Sequence, residues 1–423
     1  MNLREFRQSI PETSTVAVVG AGPVGLETAA WGVAHGLDVV VFEKHSVGHH
    51  IKDWGHVKLF SPFGMNHSKW SARLLTKVPQ LELPPESSYL TGLEYIKYYL
   101  EPLAKLHELS KVIFTGIEVK QIGKLKLAKK DLTGKARSNY PFRLLLKDRR
   151  GEFFHHAHAV IDASGVYSSP QFMGNGNIPA VGELQAKKEA PAHLQYNLPD
   201  LLEKKREHFT GRKILLVGGG HSAVTCLEYL EILQSKHIQT KVYWSNKQSK
   251  NKPFPVFEND PLPYRDKLNK LGNRLATFPP IWLEYFGGTN VEEIKVWPDA
   301  THDHFEVEIR GISGMWNLKV DKIIANVGFF PNNSLYRQLQ VHECYATSGP
   351  INLAASLLGA SADCLSQENQ GIEILKNPEP NFFILGNKSY GSNSNFLLKQ
   401  GIEQVNTVMN YLKNNLAGKR LTI

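Results

Sequence analysis

The sequence of 423 residues predicts an α/β protein with two domains of the same design, the second inserted into the first. Two stretches share one order of elements: a buried apolar strand, a glycine turn, a helix and a second apolar strand. Each is followed by short strands with turns and by another apolar strand that ends in glycine, at Gly165 and Gly328. This order is typical of βαβ units in a parallel sheet. The spacing of roughly 200 residues makes it a repeat of whole domains and not a solenoid.

The apolar pattern places the elements in order. The first βαβ unit is expected as strand 15–19, helix 26–35 and strand 38–43, and the second as strand 213–217, helix 224–234 and strand 240–245. Short strands are expected at 111–122, 142–147, 152–159, 291–297, 304–310 and 315–320, with buried apolar strands that end in glycine at 159–165 and 322–328. The proline- and aromatic-rich segments 51–100 and 252–288 are expected to be irregular or short-helical covers.

The C-terminal stretch contains one strand, 381–386, and one helix, 395–414, which is too little for a core of its own. We therefore predict that it returns to complete the first domain. The first domain would then span residues 1–204 and 331–423, and the inserted domain residues 205–330.

Composition and charge narrow the class of protein. Hydrophobic residues make up 42% and charged residues 21%, which is typical of a folded globular chain. The net charge of +9 suits anionic ligands. The Lys and Arg residues are scattered, however, and the chain shows neither the basic stripe nor the reading module of a nucleic-acid binder. The sequence shows no long apolar run, no export signal and only three scattered cysteines, Cys226, Cys344 and Cys364. We expect a cytoplasmic protein with no membrane span and no nucleic-acid partner.

The first glycine turn has the dinucleotide-binding pattern. Gly20 permits the tight turn, Gly22 lets the backbone approach a pyrophosphate, and Gly25 packs the helix against the strand. The helix then directs its free amides at the phosphates. Glu43, at the end of the second strand, suits the 2′-hydroxyl of a ribose.

The second turn carries Gly218, Gly220 and the allowed variant Ala223. Its second strand ends without a carboxylate, and Lys247 follows. A cation in place of an acid suits a 2′-phosphate, so NADPH is favoured over NADH, although Lys247 in a solvated loop is the alternative. The predicted NADPH contacts are Gly218, Gly220, His221, Ser222, Ala223 and Lys247.

With these motifs the chain resembles the flavoproteins with two dinucleotide-binding domains, the group of thioredoxin-reductase-like enzymes and flavin-containing monooxygenases. Four stretches carry the resemblance: the first turn with Glu43, and residues 162–167, 324–332 and 381–387. It implies two Rossmann-like domains, the first binding FAD and the inserted one NADPH. The implied FAD contacts are Gly20, Gly22, Pro23, Val24, Gly25, Glu43, Lys44, Trp54, His56, Val119, Ala163, Ser164, Gly165, Gly386 and Asn387.

Some of these positions are implied by location alone. Trp54 and His56 would border the flavin ring by stacking and hydrogen bonding, with simple loop packing as the alternative. Val119 would lie near the adenine. Asn387 stands where the family usually has Asp, but an amide can still accept one hydrogen bond and donate another.

The sequence leaves three functions open. A monooxygenase that uses O2 on a small molecule is favoured, a reductase of a thiol/disulfide or non-thiol acceptor is second, and a non-catalytic flavin-binding redox sensor is third. No Cys-x-x-Cys pair is present for a dithiol reductase. No catalytic acid, base or nucleophile stands out. No metal site is predicted, because His156 and His158 share a strand face without a third ligand. A homo-oligomer is compatible with the sequence.

Overall fold

The structure is a computed structural model that describes residues 9–236, 240–297, 301–358 and 371–416. The chain forms two compact units. The first comprises Met1–Ser169 and Phe330–Ile423, and the second comprises Pro170–Phe329. The second unit is therefore inserted into the first. Residues 170–204, which the sequence assigns to the first domain, lie in the second unit, where Leu194 and Gln195 pair with Ile323 and Ile324.

The described residues contain the following strands and helices. The strands are β1 Thr13–Val19, β2 Val39–Glu43, β3 Ile113–Thr115, β4 Glu118–Lys124, β5 Phe142–Asp148, β6 Gly151–Asp162, β7 Leu194–Gln195, β8 Lys213–Val217, β9 Lys241–Asn246, β10 Leu283–Gly287, β11 Thr289–Val296, β12 Phe305–Gly311, β13 Gly314–Val320, β14 Lys322–Ala325 and β15 Phe382–Ile384. The α-helices are α1 Pro23–Ala34, α2 His49–Asp53, α3 Lys69–Leu75, α4 Gly92–Tyr95, α5 Glu101–Ala104, α6 His107–Ser110, α7 Glu183–Glu189, α8 Arg206–Phe209, α9 His221–Lys236, α10 Pro263–Thr277, α11 Ile351–Leu358 and α12 Leu398–Leu416.

The first unit is built on a seven-stranded sheet with the order β3-β2-β1-β6-β5-β4, and β15 lies beside β6. β1, β2, β3 and β15 run parallel to their neighbours, whereas β4 and β5 are antiparallel. The predicted strands 152–159 and 159–165 are one continuous strand, β6, which ends at Asp162. Its first half pairs with β5, and its buried second half pairs with β1 and β15, which explains why alternation gives way to a continuous apolar run.

Helix α1 is buried on most of its surface and joins the core on one face of this sheet. It packs against α12, the helix from the C-terminal stretch. At Gly32 a Cβ would stand 3.3 Å from the Met409 side chain of α12. β15 and α12, which both come from the C-terminal stretch, lie in the first unit.

The second unit has a five-stranded parallel sheet with the order β10-β9-β8-β14-β7 and a separate antiparallel sheet of β11, β12 and β13. Segment 252–288 was expected to be irregular or short-helical, yet it contains the 15-residue helix α10. Pro263 occupies the start of this helix, where the missing N–H costs nothing. The proline there begins a helix and does not interrupt one.

Within the described ranges, the structure has no helix both long and apolar enough to span a membrane.

Candidate cofactor-binding sites

The first glycine turn, between β1 and α1, has the geometry that its glycines predict. Gly20 has a φ of +99°, and a Cβ there would stand 2.8 Å from the Ala163 carbonyl oxygen. A Cβ on Gly25 would stand 1.9 Å from the Gly20 carbonyl oxygen, so helix and turn are in direct backbone contact. A Cβ on Gly22 would meet no atom within 4 Å. The turn is thus closed at Gly20 and Gly25 and open at Gly22, beside the uncapped start of α1 at Pro23.

Glu43 holds this turn against the end of β2. Its Oε2 accepts a hydrogen bond of 2.8 Å from the Ala21 amide, and its Oε1 accepts one of 2.7 Å from the His45 amide. A carboxylate has about four lone-pair sites, so two contacts leave capacity for ribose hydroxyls. The residue that the sequence predicts as a ribose acceptor is therefore fixed in place by backbone donors.

Lys44 and Val119 lie close to each other just beyond the end of β2, where the Ile117 amide donates to the Glu43 carbonyl. The Lys44 Nζ is 3.1 Å from Oε1 of Glu118, the residue before Val119, and Lys44 is exposed. Both predicted adenosine-side residues are therefore near the end of β2. Lys44 has a carboxylate partner in this structure, so its predicted part in FAD binding stays a prediction.

The ends of β6 and β15 meet beside the first turn. Gly386 has a φ of +73°, and a Cβ there would stand 3.0 Å from the Val24 side chain at the start of α1. Gly165 also has a positive φ, of +71°. The predicted residues Val24, Ala163 and Gly386 are therefore brought together around Gly20 and Gly22. Asn387 directly follows, in the 3-10 turn Gly386–Tyr390.

A buried ion pair that sequence reasoning missed joins these two strand ends. Lys388 Nζ donates a hydrogen bond of 2.7 Å to Asp162 Oδ2, and the two side chains are 1% and 0% exposed. The Ser164 hydroxyl donates to Asp162 Oδ1 at 2.6 Å, and Lys388 also donates to the Ser164 Oγ at 3.1 Å. The signal available in the sequence was a single charged residue at the end of each of two apolar strands that belong to one sheet.

Trp54 follows α2, a helix tied to the first turn by the hydrogen bond of Gly48 N–H to the Ala21 carbonyl. The indole packs against Gly92, where a Cβ would stand 2.9 Å from the ring, and its centroid is 6.3 Å from the Tyr167 ring. The buried Trp54 Nε1 has no hydrogen-bond partner among the described residues. His56 is half-buried in the same segment. An unpaired indole donor in this segment fits a bound group that offers an acceptor.

These features fit FAD: Gly22 leaves room for close backbone approach, and Trp54 offers an unpaired donor. No group of three or more His, Cys, Asp or Glu residues suited to a metal ion occurs in the described part of the chain.

The second glycine turn, between β8 and α9, repeats the design of the first. Gly218 has a φ of +150°, and a Cβ there would stand 2.4 Å from the Asn326 carbonyl oxygen. A Cβ on Gly220 would meet no atom within 4 Å. The Trp244 indole donates 2.8 Å to the Gly218 carbonyl and fixes the turn. Helix α9 starts at His221, followed by Ser222 and the buried Ala223, so the predicted residues are gathered at one helix start.

His221 has a partner that the sequence did not suggest. Its Nε2 lies 3.0 Å from Oδ1 of Asn269 in α10. Burial lowers the pKa of His221, an effect that the Asn269 contact opposes. Asn269 is 48 residues away and carries no local signal, because α10 itself was not predicted.

Lys247, the predicted 2′-phosphate contact, lies just after β9 and is exposed. Its Nζ donates to the Asn177 Oδ1. Asn177 belongs to a turn in which both Gly176 and Asn177 have positive φ. The structure therefore places a neutral amide beside this cation, and the role of Lys247 in binding a phosphate stays a prediction.

Two of the three cysteines are described, and both are free thiols. Cys226 is fully buried in α9, and this burial raises the pKa of its thiol. Cys344 is also buried, but the backbone amides of Ala346 and Thr347 lower the pKa of its thiol. Cys364 lies outside the described residues.

Comparisons with known proteins agree with this geometry. Residues 17–133 match the family model described as pyridine nucleotide-disulphide oxidoreductase. No curated protein matches the sequence.

Three solved structures share the fold along nearly the whole chain. A bacillithiol disulfide reductase from Bacillus cereus has 17% identity and a TM-score of 0.65, covering 95% of this chain and 99% of its own. A cadaverine monooxygenase of desferrioxamine biosynthesis from Erwinia amylovora, bound to FAD, has 11% identity and a TM-score of 0.63, covering 96% and 95%. An ornithine N-hydroxylase from Kutzneria sp. 744 has 14% identity and a TM-score of 0.61, covering 96% and 100%. The fold of this chain is that of the flavoproteins with two dinucleotide-binding domains, the class that its sequence resembles.

Proposed function

We propose that the chain is an oxidoreductase that binds FAD in its first unit and draws electrons from NADPH bound in its second. The observation that carries this proposal is the repeat of one open glycine at the start of a helix, Gly22 before α1 and Gly220 before α9. Each offers a backbone surface that a pyrophosphate can approach, next to the amino end of a helix, which favours an anion. The match of residues 17–133 to the oxidoreductase family model supports the first site.

In this proposal the residues of the chain bind and orient. Glu43 accepts hydrogen bonds from the FAD ribose, Trp54 donates its unpaired N–H to the flavin end, and Lys247 contacts the 2′-phosphate of NADPH. Bound FAD would supply the chemistry of accepting a hydride and passing electrons on.

The specific activity that we propose is oxygenation of a small molecule. NADPH, a proton, O2 and the substrate would yield NADP+, water and the oxygenated substrate, which balances atoms and electrons. The absence of a Cys-x-x-Cys pair and the burial of Cys226 speak against a dithiol reductase. The likeness to an ornithine hydroxylase and a cadaverine monooxygenase makes primary amines the first compounds to test.

One observation favours a thiol reductase as the second candidate. Cys344 lies in the FAD-binding unit, and the amides of Ala346 and Thr347 lower the pKa of its thiol, which favours the reactive thiolate. The likeness to a bacillithiol disulfide reductase points the same way.

The test uses the purified full chain reconstituted with FAD. For the monooxygenase, a panel of primary amines should include one that accelerates NADPH oxidation, consumes equimolar O2 and lowers the fraction of O2 recovered as hydrogen peroxide. A variant with Cys226, Cys344 and Cys364 replaced by Ala should keep this activity. NADPH-driven reduction of a low-molecular-weight disulfide without O2, abolished by Cys344→Ala alone, would establish the reductase instead. A chain that binds neither FAD nor NADPH would refute both.

A further inference from the structure

Asn326 directly follows β14, at the edge of the parallel sheet of the second unit where the strands end. Its backbone N–H donates a hydrogen bond of 2.8 Å to the carbonyl of Val217, the last residue of β8. A Cβ on Gly218 would stand 2.4 Å from the Asn326 carbonyl oxygen. Both main-chain polar atoms of Asn326 are therefore held against the second glycine turn, and its side chain has a fixed origin beside that turn.

The side-chain oxygen of Asn326 is buried and unpaired. Asn326 is 8% exposed, and its Oδ1 has no hydrogen-bond partner among the described residues. Buried polar atoms are nearly always paired, because an unmade hydrogen bond costs free energy. In the first unit the equivalent place beside Gly20 belongs to Ala163, which has no polar side chain. The turn itself does not require an amide there, so the unpaired oxygen indicates a ligand of the second unit.

The topology of the sheet places Asn326 at the point where a ligand is expected. The strand order β10-β9-β8-β14-β7 puts β9 on one side of β8 and β14 on the other. The strand order therefore reverses between β8 and β14. In open parallel sheets, ligands bind in the crevice outside the carboxyl ends of the strands at such a reversal. Gly218 after β8 and Asn326 after β14 border this crevice.

The same topology indicates which part of the nucleotide Asn326 would meet. The proposed 2′-phosphate contact, Lys247, follows β9, so the adenosine half of NADPH would lie on that side of β8. With the pyrophosphate at Gly220, the β14 side receives the nicotinamide and its ribose. The pyrophosphate oxygens only accept hydrogen bonds at neutral pH, so they cannot pair with Oδ1. The ribose hydroxyls and the carboxamide N–H of the nicotinamide half are donors that can.

We propose that Asn326 positions the nicotinamide riboside half of the nucleotide by accepting, at Oδ1, a hydrogen bond from a ribose hydroxyl or from the carboxamide. This inference rests on the proposed binding of NADPH to the second unit. It adds a contact to the half of the nucleotide that carries the hydride, whereas the glycine turn and Lys247 serve the pyrophosphate and the 2′-phosphate. Asn326 binds the nucleotide and takes no part in electron transfer.

The experiment is isothermal titration calorimetry of the FAD-loaded full chain with two probes. NADP+ carries the nicotinamide riboside, and its oxidised state leaves the flavin unreduced during the titration. The second probe, 2′,5′-ADP, carries the adenosine and its 2′-phosphate but no nicotinamide riboside. Asn326→Ala should bind NADP+ roughly three- to tenfold more weakly, as expected for the loss of one hydrogen bond. Its affinity for 2′,5′-ADP should be unchanged.

A stability measurement and a control separate this role from a structural one. Asn326→Ala removes no side-chain hydrogen bond at Oδ1 within the described structure, so the nucleotide-free variant should melt at nearly the temperature of the unaltered chain. Saturating NADP+ should raise its melting temperature by less than it raises that of the unaltered chain. Asn317→Ala, at an exposed asparagine of β13 in the same unit, should keep both affinities and both melting temperatures.

The possible failures are distinguishable. An unchanged affinity of Asn326→Ala for NADP+, or an equal loss of affinity for both probes, overturns the inference and leaves the nucleotide site standing. Equal binding of NADP+ and 2′,5′-ADP by the unaltered chain also overturns it, because the nicotinamide half would then contribute nothing. Failure of the unaltered chain to bind either probe or NADPH refutes the proposed function itself.

Discussion

Lys388 and Asp162 form a buried ion pair, with 2.7 Å between Nζ and Oδ2, at the carboxyl ends of two neighbouring parallel strands. Asp162 ends β6, and Lys388 follows β15, so the contact joins residues 226 positions apart in the chain. The pair lies beside two predicted FAD contacts, because Lys388 also donates to the Ser164 hydroxyl and directly follows Asn387.

Loss of one partner of this pair should be costly. Lys388→Met leaves the Asp162 carboxylate buried without its cation, and such losses cost about 3–5 kcal/mol. We expect the free energy of unfolding in urea to fall by that amount, and FAD to be bound more weakly. The double variant Asp162→Asn with Lys388→Met should recover most of the stability. The exposed pair offers a control: Lys376→Met removes the contact to Glu373 and should cost less than about 1 kcal/mol.

Two of the three glycines of the first turn, Gly22 and Gly25, should respond differently to substitution. Gly22→Leu meets open space in the protein, so the apo chain should fold with an unchanged melting temperature but lose the absorbance of bound FAD. Gly25→Ala places a Cβ 1.9 Å from a backbone oxygen and should lower the melting temperature itself. Gly123→Leu, at an equally open glycine in β4, should keep FAD. Retention of FAD by Gly22→Leu would contradict the site.

The preference for NADPH should depend on Lys247. Lys247→Glu places a carboxylate where we expect the 2′-phosphate, so the ratio of NADPH to NADH affinity should drop about tenfold or more. Fluorescence titration with both nucleotides measures this ratio. Lys250→Glu makes the same charge change at an exposed position three residues later, and should leave the ratio nearly unchanged. If both variants shift the ratio equally, the effect is one of general charge.

His155 should make the first unit sensitive to acid. Burial lowers the pKa of this imidazole from 6.5 to about 4, while Nδ1 contacts the Pro11 carbonyl and Nε2 the Ser14 hydroxyl. In the unfolded chain the imidazole takes up its proton near pH 6.5, so its contribution to stability is full above that pH. It is lost as the pH falls toward 4, by about 3 kcal/mol in total. Urea unfolding at about pH 7 and pH 5 should show a smaller difference for His155→Gln than for the unaltered chain, and the exposed His107→Gln should change nothing.

Local patterns were enough to predict the features that depend on local geometry. Gly20, Gly22 and Gly25 were predicted from their spacing between a strand and a helix, because the turn there needs a positive φ at Gly20, open space at Gly22 and direct backbone contact at Gly25. The same holds for Gly218 and Gly220. The two turns even share a contact that spacing cannot show: Gly20 closes on the carbonyl of Ala163 and Gly218 on that of Asn326.

The missed residues depend on distant segments. Asn269 contacts His221 only because α10 packs beside α9. The sequence did not predict α10, because Pro263 at its first position was interpreted as part of an irregular segment. Asn177 meets Lys247 across 70 positions, and it lies in residues that the sequence assigned to the other domain. No spacing in the sequence predicts these two contacts, since the way in which distant elements pack is determined by the whole core.

The position of β15 in the sequence determines which of the two units is completed first during translation. Residues 170–329 form the second unit as one uninterrupted piece, so a ribosome releases all of it while the first unit still lacks β15 and α12. Until Phe382–Ile384 arrive, one edge of Val160–Asp162 has no strand to pair with, and Asp162 has no Lys388. The unit that begins first in translation is therefore the one completed last, and a nascent chain halted before residue 382 would expose the apolar end of β6 to chaperones.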